Sequence, residues 1–227
     1  MRHQKEIDLE VIQEIYPEVL ENNDFRKWFQ ECYKRLEDIR DTDYRFAYNI
    51  SEITFALHEY PNGEISKKFA IGVFGNLYDE RIKQLFRDIL KKHCPKGENW
   101  LKKQDIDRAY GVGIGYEKKG NKTIWKFYVM YPNGIMKALN CGDWEYEEKE
   151  YRHSSDGKMA FAKGKHKRLQ INIEADGKEA YKAIKLLRKK GYISGKMADL
   201  AERMVLLGMS LDTISISPTR GIALYFE

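Results

Sequence analysis

With 227 residues, 42% of them hydrophobic, the chain has enough apolar material for a real core; one domain over 1–227 is expected and disorder is not. No run of about 18 apolar residues occurs, and Met1 to Glu6 lead straight into an amphipathic pattern without a signal-peptide apolar region, so the expected location is cytoplasmic. A net charge of +5 from 40 basic and 35 acidic residues permits an anionic ligand without demanding nucleic acid.

Two helices are predicted first. Ile7, Val11, Ile12, Ile15, Val19 and Leu20 recur at helical spacing. After a capping signal at Asn22-Asn23-Asp24, so do Phe25, Trp28, Phe29, Cys32, Tyr33 and Leu36. Ile53, Phe55 and Leu57 then alternate with polar residues, Pro61-Asn62-Gly63 turns the chain, and Phe69, Ile71 and Val73 alternate again, which makes a hairpin. Ile82, Leu85, Phe86, Ile89 and Leu90 predict a helix ending before Pro95, with a shorter helical piece near Trp100-Leu101. A second hairpin runs from about Asp107 to Tyr131, turns at Lys119-Gly120-Asn121 and ends at Pro132-Asn133-Gly134. Trp144 to Tyr151, Met159 to Ala162 and Arg168 to Glu174 look extended. Two helices follow, with Gly191 and Gly208 where C-caps belong. The last hairpin joins Thr213–Ser217 to Ile222–Phe226 through Pro218-Thr219-Arg220-Gly221. Cys32, Cys94 and Cys141, odd in number and far apart, read as reduced thiols.

The order is ααββ, ααββ, an irregular β-rich unit, then ααββ. Hairpins joined through helix pairs give an α+β fold, an antiparallel sheet with its helices on one side. Closing that sheet into a barrel would remove its exposed edges. Alternation then sets the other face: Glu52, Thr54, Ala56 and His58; Lys68, Ala70 and Gly72; Lys126, Tyr128 and Met130; Arg168, Gln170 and Asn172; Thr213, Ser215 and Ser217. Two readings fit this polar face, an open sheet wetted on one side or the lumen of a barrel that holds a ligand. Cations enclosed in a lumen need an anion, and a diphosphate would satisfy several at once.

The ααββ order and the stretch Gly115 to Pro132, with its Lys-x-Tyr pair Lys126 and Tyr128, resemble the aromatic prenyltransferases of the ABBA, or PT-barrel, fold. The closing strand Gly221-Ile222-Ala223-Leu224-Tyr225-Phe226 is also similar to the family's last one. The resemblance implies a closed barrel of repeating ααββ units. It implies transfer of an isoprenyl group from an allylic diphosphate, such as dimethylallyl diphosphate, to an aromatic or peptide acceptor. Carried onto this sequence, Glu52 would accept the acceptor's proton and Tyr128 would shield the allylic cation. Lys68, Lys126, Arg168 and Gln170 would bind the diphosphate, and Thr54, His58, Met130, Asn172 and Ser215 would line the cavity. No cofactor is required, although magnesium could enter with the diphosphate.

Other signals are weaker. Gly111-Val112-Gly113-Ile114-Gly115 alternates within a strand and opens no helix, so it is not a dinucleotide loop; its glycines leave room on one face or allow sharp curvature. Gly191 to Met197 lacks P-loop spacing, and no metal spacing is present among the histidines and cysteines. Asp38, Asp41 and Asp43 could hold a cation, but they sit where a helix becomes a strand and read as punctuation, and there is no Asp-Asp-x-x-Asp box. The rival function is nucleic-acid binding, by the basic run at 163–168 and the basic helix at 182–190. A partner-binding protein on the same scaffold is a third class.

Overall fold

The computed structural model describes residues 4–40, 51–132, 136–141, 145–153, 158–163 and 167–227. The opening helical pattern is divided at Pro17, which cannot donate a backbone hydrogen bond, into α1 (Gln4–Ile15) and α2 (Pro17–Glu21). Asn22 caps α3 (Asn23–Arg40): its side-chain oxygen accepts from the backbone N–H of Asp24 at 3.1 Å and of Phe25 at 3.0 Å. The first hairpin is β1 (Ser51–Glu59) and β2 (Ile65–Phe74), and α4 (Glu80–His93) and α5 (Gly97–Leu101) lead to β3 (Gly111–Lys119) and β4 (Lys122–Met130). Four strands follow directly: β5 (Met136–Asn140), β6 (Glu145–His153), β7 (Met159–Lys163) and β8 (Arg168–Ala175). Then come α6 (Gly177–Lys189), α7 (Gly195–Leu207), β9 (Leu211–Ser217) and β10 (Gly221–Phe226).

All ten strands are antiparallel neighbours in one closed barrel, in the order β1-β10-β9-β8-β7-β6-β5-β4-β3-β2. The first and last strands seal it, with Leu57 opposite Leu224 and His58 opposite Ala223. The barrel therefore replaces the open, wetted sheet as the meaning of the polar face. Strand β5 is an addition to the sequence reading, which ended the second hairpin at Gly134. The helix-pair repeat is also interrupted: among the described residues no helix separates β4 from β8.

The hydrophobic core lies outside the barrel wall. Phe55 and Leu57 of β1, Phe69 and Ile71 of β2, Ile114 of β3 and Phe127 of β4 are buried against helical side chains that include Tyr16, Phe25, Trp28 and Phe86. Two polar tips in this layer reach strand carbonyls: the Trp28 indole donates to Ile71 O at 2.9 Å, and the Tyr16 hydroxyl to Ala56 O at 3.2 Å. With the apolar alternation spent on the helices, the opposite alternation must line the lumen.

The reduced-thiol reading is corrected for two of the cysteines. Cys94, at the C-terminus of α4, and Cys141, just after β5, form a disulfide across 47 residues, and Cys32 is free and buried. Strands β3 to β5 bring the barrel wall back beside the end of α4, a closure that sequence separation does not reveal. No helix among the described residues is long and apolar enough to cross a membrane.

Candidate functional site

Inside the barrel lies a cavity of about 510 Å³. Its wall on β2 to β5 is built in registered rows. Phe74, Gly111, Met130 and Met136 make the row nearest the helical connections. Above it come Gly72, Gly113, Tyr128 and Ala138, then Ala70, Gly115, Lys126 and Asn140. The row toward the hairpin turns is Lys68, Glu117 and Ile124. On this wall polarity thus changes along the barrel axis, from methionine and phenylalanine at one end to charge at the other. Asp212 at the start of β9 and Glu227 after β10 also line the cavity, on the side of the helical connections.

The glycines of β3 make this possible. A Cβ on Gly115 would stand 3.1 Å from Cε2 of Tyr128 and 3.4 Å from its hydroxyl oxygen. Their alternation therefore clears one face of the strand, and the Tyr128 ring lies in that space.

Charge concentrates around Glu117, whose surface is 1% exposed. Its carboxylate accepts the Tyr60 hydroxyl at 2.7 Å, forms an ion pair with Lys126, and lies 3.7 Å from the Lys68 ammonium. Burial alone would raise the Glu117 pKa, but Lys126 and Lys68 overcome it and hold the group well below the ordinary carboxylate range. Burial, and then Glu117, push the Tyr60 phenol up, so it stays a donor. His58, 3% exposed, lies within hydrogen-bond reach of Lys68 Nζ through Nδ1 and of Arg220 O, at 2.6 Å, through Nε2. Burial, followed by the Lys68 charge, pushes its pKa down to about 2.

Of the residues expected from the sequence, Lys68, Lys126, Tyr128, Arg168, Gln170, Thr54, His58 and Met130 all line this one cavity. Asn172 and Ser215 do not. Asn172 sits at the irregular end of the β8–β9 pairing, where its side-chain oxygen accepts from Thr213 Oγ1 at 3.3 Å, whereas Ser215 keeps regular register and is buried between Gln170 and Ala223. Glu52 shares the alternation of Thr54 and His58, but its side chain lies outside the described residues. The register sets it opposite Gly72 and sets Lys68 opposite Ala56, so the hairpin does not place the two across from each other.

Sequence reasoning missed Glu117, Tyr60 and Arg220. Glu117 had a usable signal, since it continues the alternation Gly111, Gly113, Gly115. Tyr60 likewise continues that of His58 past the end of β1. Of the rival basic segments, residues 164–166 lie outside the described residues, Arg168 lines the cavity, and Lys182, Lys185 and Lys189 are exposed on α6.

No protein-family profile matches the sequence, and no curated protein is significantly similar to it. Solved structures are. A 6-dimethylallyltryptophan synthase from Micromonospora olivasterospora, in complex with DMASPP and Trp, superposes with a TM-score of 0.55 at 9% identity, over 77% of this chain and 81% of the other. A further 6-dimethylallyl tryptophan synthase gives 0.53 at 8% identity, over 80% and 81%. At such identities the likeness lies in the path of the backbone, and the chain accordingly has the ABBA, or PT-barrel, fold of the aromatic prenyltransferases.

Proposed function

We propose that the protein transfers an isoprenyl group from an allylic diphosphate to an aromatic or peptide acceptor held in its lumen. The observation that carries this reading is the change of polarity along the β2–β5 wall of the cavity. A prenyl diphosphate is itself polar at one end and apolar at the other. Its diphosphate suits the end with Lys68, Lys126 and Arg220, with Arg168 and Gln170 on the β8 wall, and its tail suits the Phe74, Met130 and Met136 row. Magnesium, if used, would arrive with the diphosphate.

In the proposed reaction the C1–O bond breaks and its electron pair leaves on the diphosphate. Fixed cations stabilise the charge that develops there. The allylic cation that remains is attacked by an acceptor ring carbon, which forms the new C–C bond and then loses its proton. Tyr128 and Tyr225 offer π-faces that stabilise a cation and are less nucleophilic than water. Glu117 is a poor proton acceptor, because two lysines stabilise its charged form. Its part in this scheme is to hold those lysines. Proton acceptance is assigned to Glu52, at the inward alternation of β1.

The test uses dimethylallyl diphosphate with tryptophan, followed by mass spectrometry for the prenylated product and by assay of released diphosphate. Lys126→Ala should lower kcat/KM by roughly 10²–10³, the range for removing one donor to a developing oxyanion. If turnover and diphosphate affinity survive Lys126→Ala, the assignment is wrong. Salt-dependent binding of single-stranded RNA that disappears when Lys182, Lys185 and Lys189 are changed to Ala would support the rival reading.

A further inference from the structure

We infer that His58 is a positioning residue: a neutral imidazole that fixes the Lys68 ammonium and the turn bearing Arg220 in one bridge, so that two cavity cations face an anionic ligand together. Only the identity of that anion rests on the proposed function. The bridge follows from donor and acceptor chemistry. The Arg220 carbonyl can only accept, so His58 Nε2, 2.6 Å away, carries the hydrogen. A neutral ring then presents a lone pair at Nδ1, where the Lys68 ammonium, which can only donate, is placed. A doubly protonated ring would set an N–H against that ammonium.

The surroundings keep the ring neutral. Lys68 faces it from β2 and Lys126 lies beyond on β4; Glu117 on β3 opposes them but is already shared by both lysines. The Tyr60 ring packs on the imidazole with centroids 4.1 Å apart, and Lys68 also lies 5.7 Å from that ring's centre. His58 is therefore engaged at both ring nitrogens and against the Tyr60 ring, and has no proton to give at Nδ1. Its work is mechanical: it ties β2 to the β9–β10 turn through β1, across the seam where the barrel closes. Without it, Lys68 would be drawn toward Glu117, and the Arg220 carbonyl would lose this donor.

Two measurements on the whole protein decide the matter. Nitrogen-15 NMR of the histidine rings should show His58 as the neutral Nε2–H tautomer from pH 5 to 8, with an Nδ1 shift that changes in Lys68→Met. Calorimetry with inorganic diphosphate should show affinity falling about tenfold or more in His58→Phe, which keeps the ring and removes both bonds. His58→Gln, whose amide can both donate and accept, should recover most of that loss. An imidazolium or an Nδ1–H tautomer overturns the inference, as does folded His58→Phe that binds diphosphate like the parent. If the parent protein binds no diphosphate, the donor assignment fails by itself. The response of Nδ1 to Lys68→Met still decides the positioning role, and an unchanged Nδ1 shift overturns it.

Discussion

His58 also affects how the protein responds to acid, and the sign can be worked out. Its pKa is about 2 in the fold and near 6.5 in an unfolded chain, so the unfolded state takes up a proton first as pH falls. The stability His58 contributes is complete above about pH 6.5 and declines below it, with a slope approaching about 1.4 kcal/mol per pH unit. Urea unfolding between pH 8 and 5 should show this decline in the parent protein and a flatter curve in His58→Phe. Parallel curves would mean that the folded protein protonates His58 freely. Glu117 has the same sign, but its contribution begins to decline only as pH falls to the ordinary glutamate value of about 4.5, so His58 alone of the two acts between about pH 6.5 and 5. Legibility differs between these neighbours. His58 stood out because β1 alternates cleanly. Glu117 was hidden because Glu-Lys-Lys before a Gly-Asn turn reads as the wet tip of a hairpin. Only the ring of strands places that tip over an enclosed space.

At the scale of the elements, the hairpins were legible because their turns are written in proline, asparagine and glycine. How closely each turn packs was not. Gly63 and Gly221 both hold positive φ, +78° and +83°, which a side chain makes costly. Their surroundings are opposite. A Cβ on Gly63 meets nothing within 4 Å, whereas one on Gly221 would stand 2.1 Å from the Glu59 carbonyl oxygen, a backbone atom held in the β1–β10 seam. Gly63→Ala should therefore cost only the conformational penalty, about 1 kcal/mol. Gly221→Ala should cost at least about 2 kcal/mol, and it should disturb Arg220 and the carbonyl that His58 holds. Denaturant midpoints of the two variants test this, and equal losses would mean that the β9–β10 turn can relax. The turn type was readable from four residues. The approach of Glu59 was not, because it comes from a strand more than 150 residues away in sequence.

Over the whole molecule, the inward and outward faces of the strands could be read locally, whereas closure could not. It depends on β1 meeting β10, and on β5, a strand of five residues after a Pro-Asn-Gly break that looks like an ending. The disulfide belongs to the same class of long-range fact. Cys94 terminates α4 in the helical layer and Cys141 follows β5 in the barrel wall, so the bridge ties the outer layer to the strand that carries Met136, Ala138 and Asn140. It also removes part of the thiol argument for a reducing compartment. The loop it closes spans 47 residues. Chain entropy alone then gives a stabilisation of about 4 kcal/mol, realised mainly by restricting the unfolded chain. Thermal unfolding with and without dithiothreitol should show a clear fall in Tm on reduction, and Cys141→Ser should reproduce it without reductant. Cys32→Ser should leave the response to reductant intact, because Cys32 is outside the bridge. Thiol counting under denaturing, non-reducing conditions should find one free cysteine. Three free thiols, with a Tm insensitive to dithiothreitol, would restore the reduced-thiol reading and leave the α4–β5 junction to packing between Leu139, Leu90 and the Gly97 backbone.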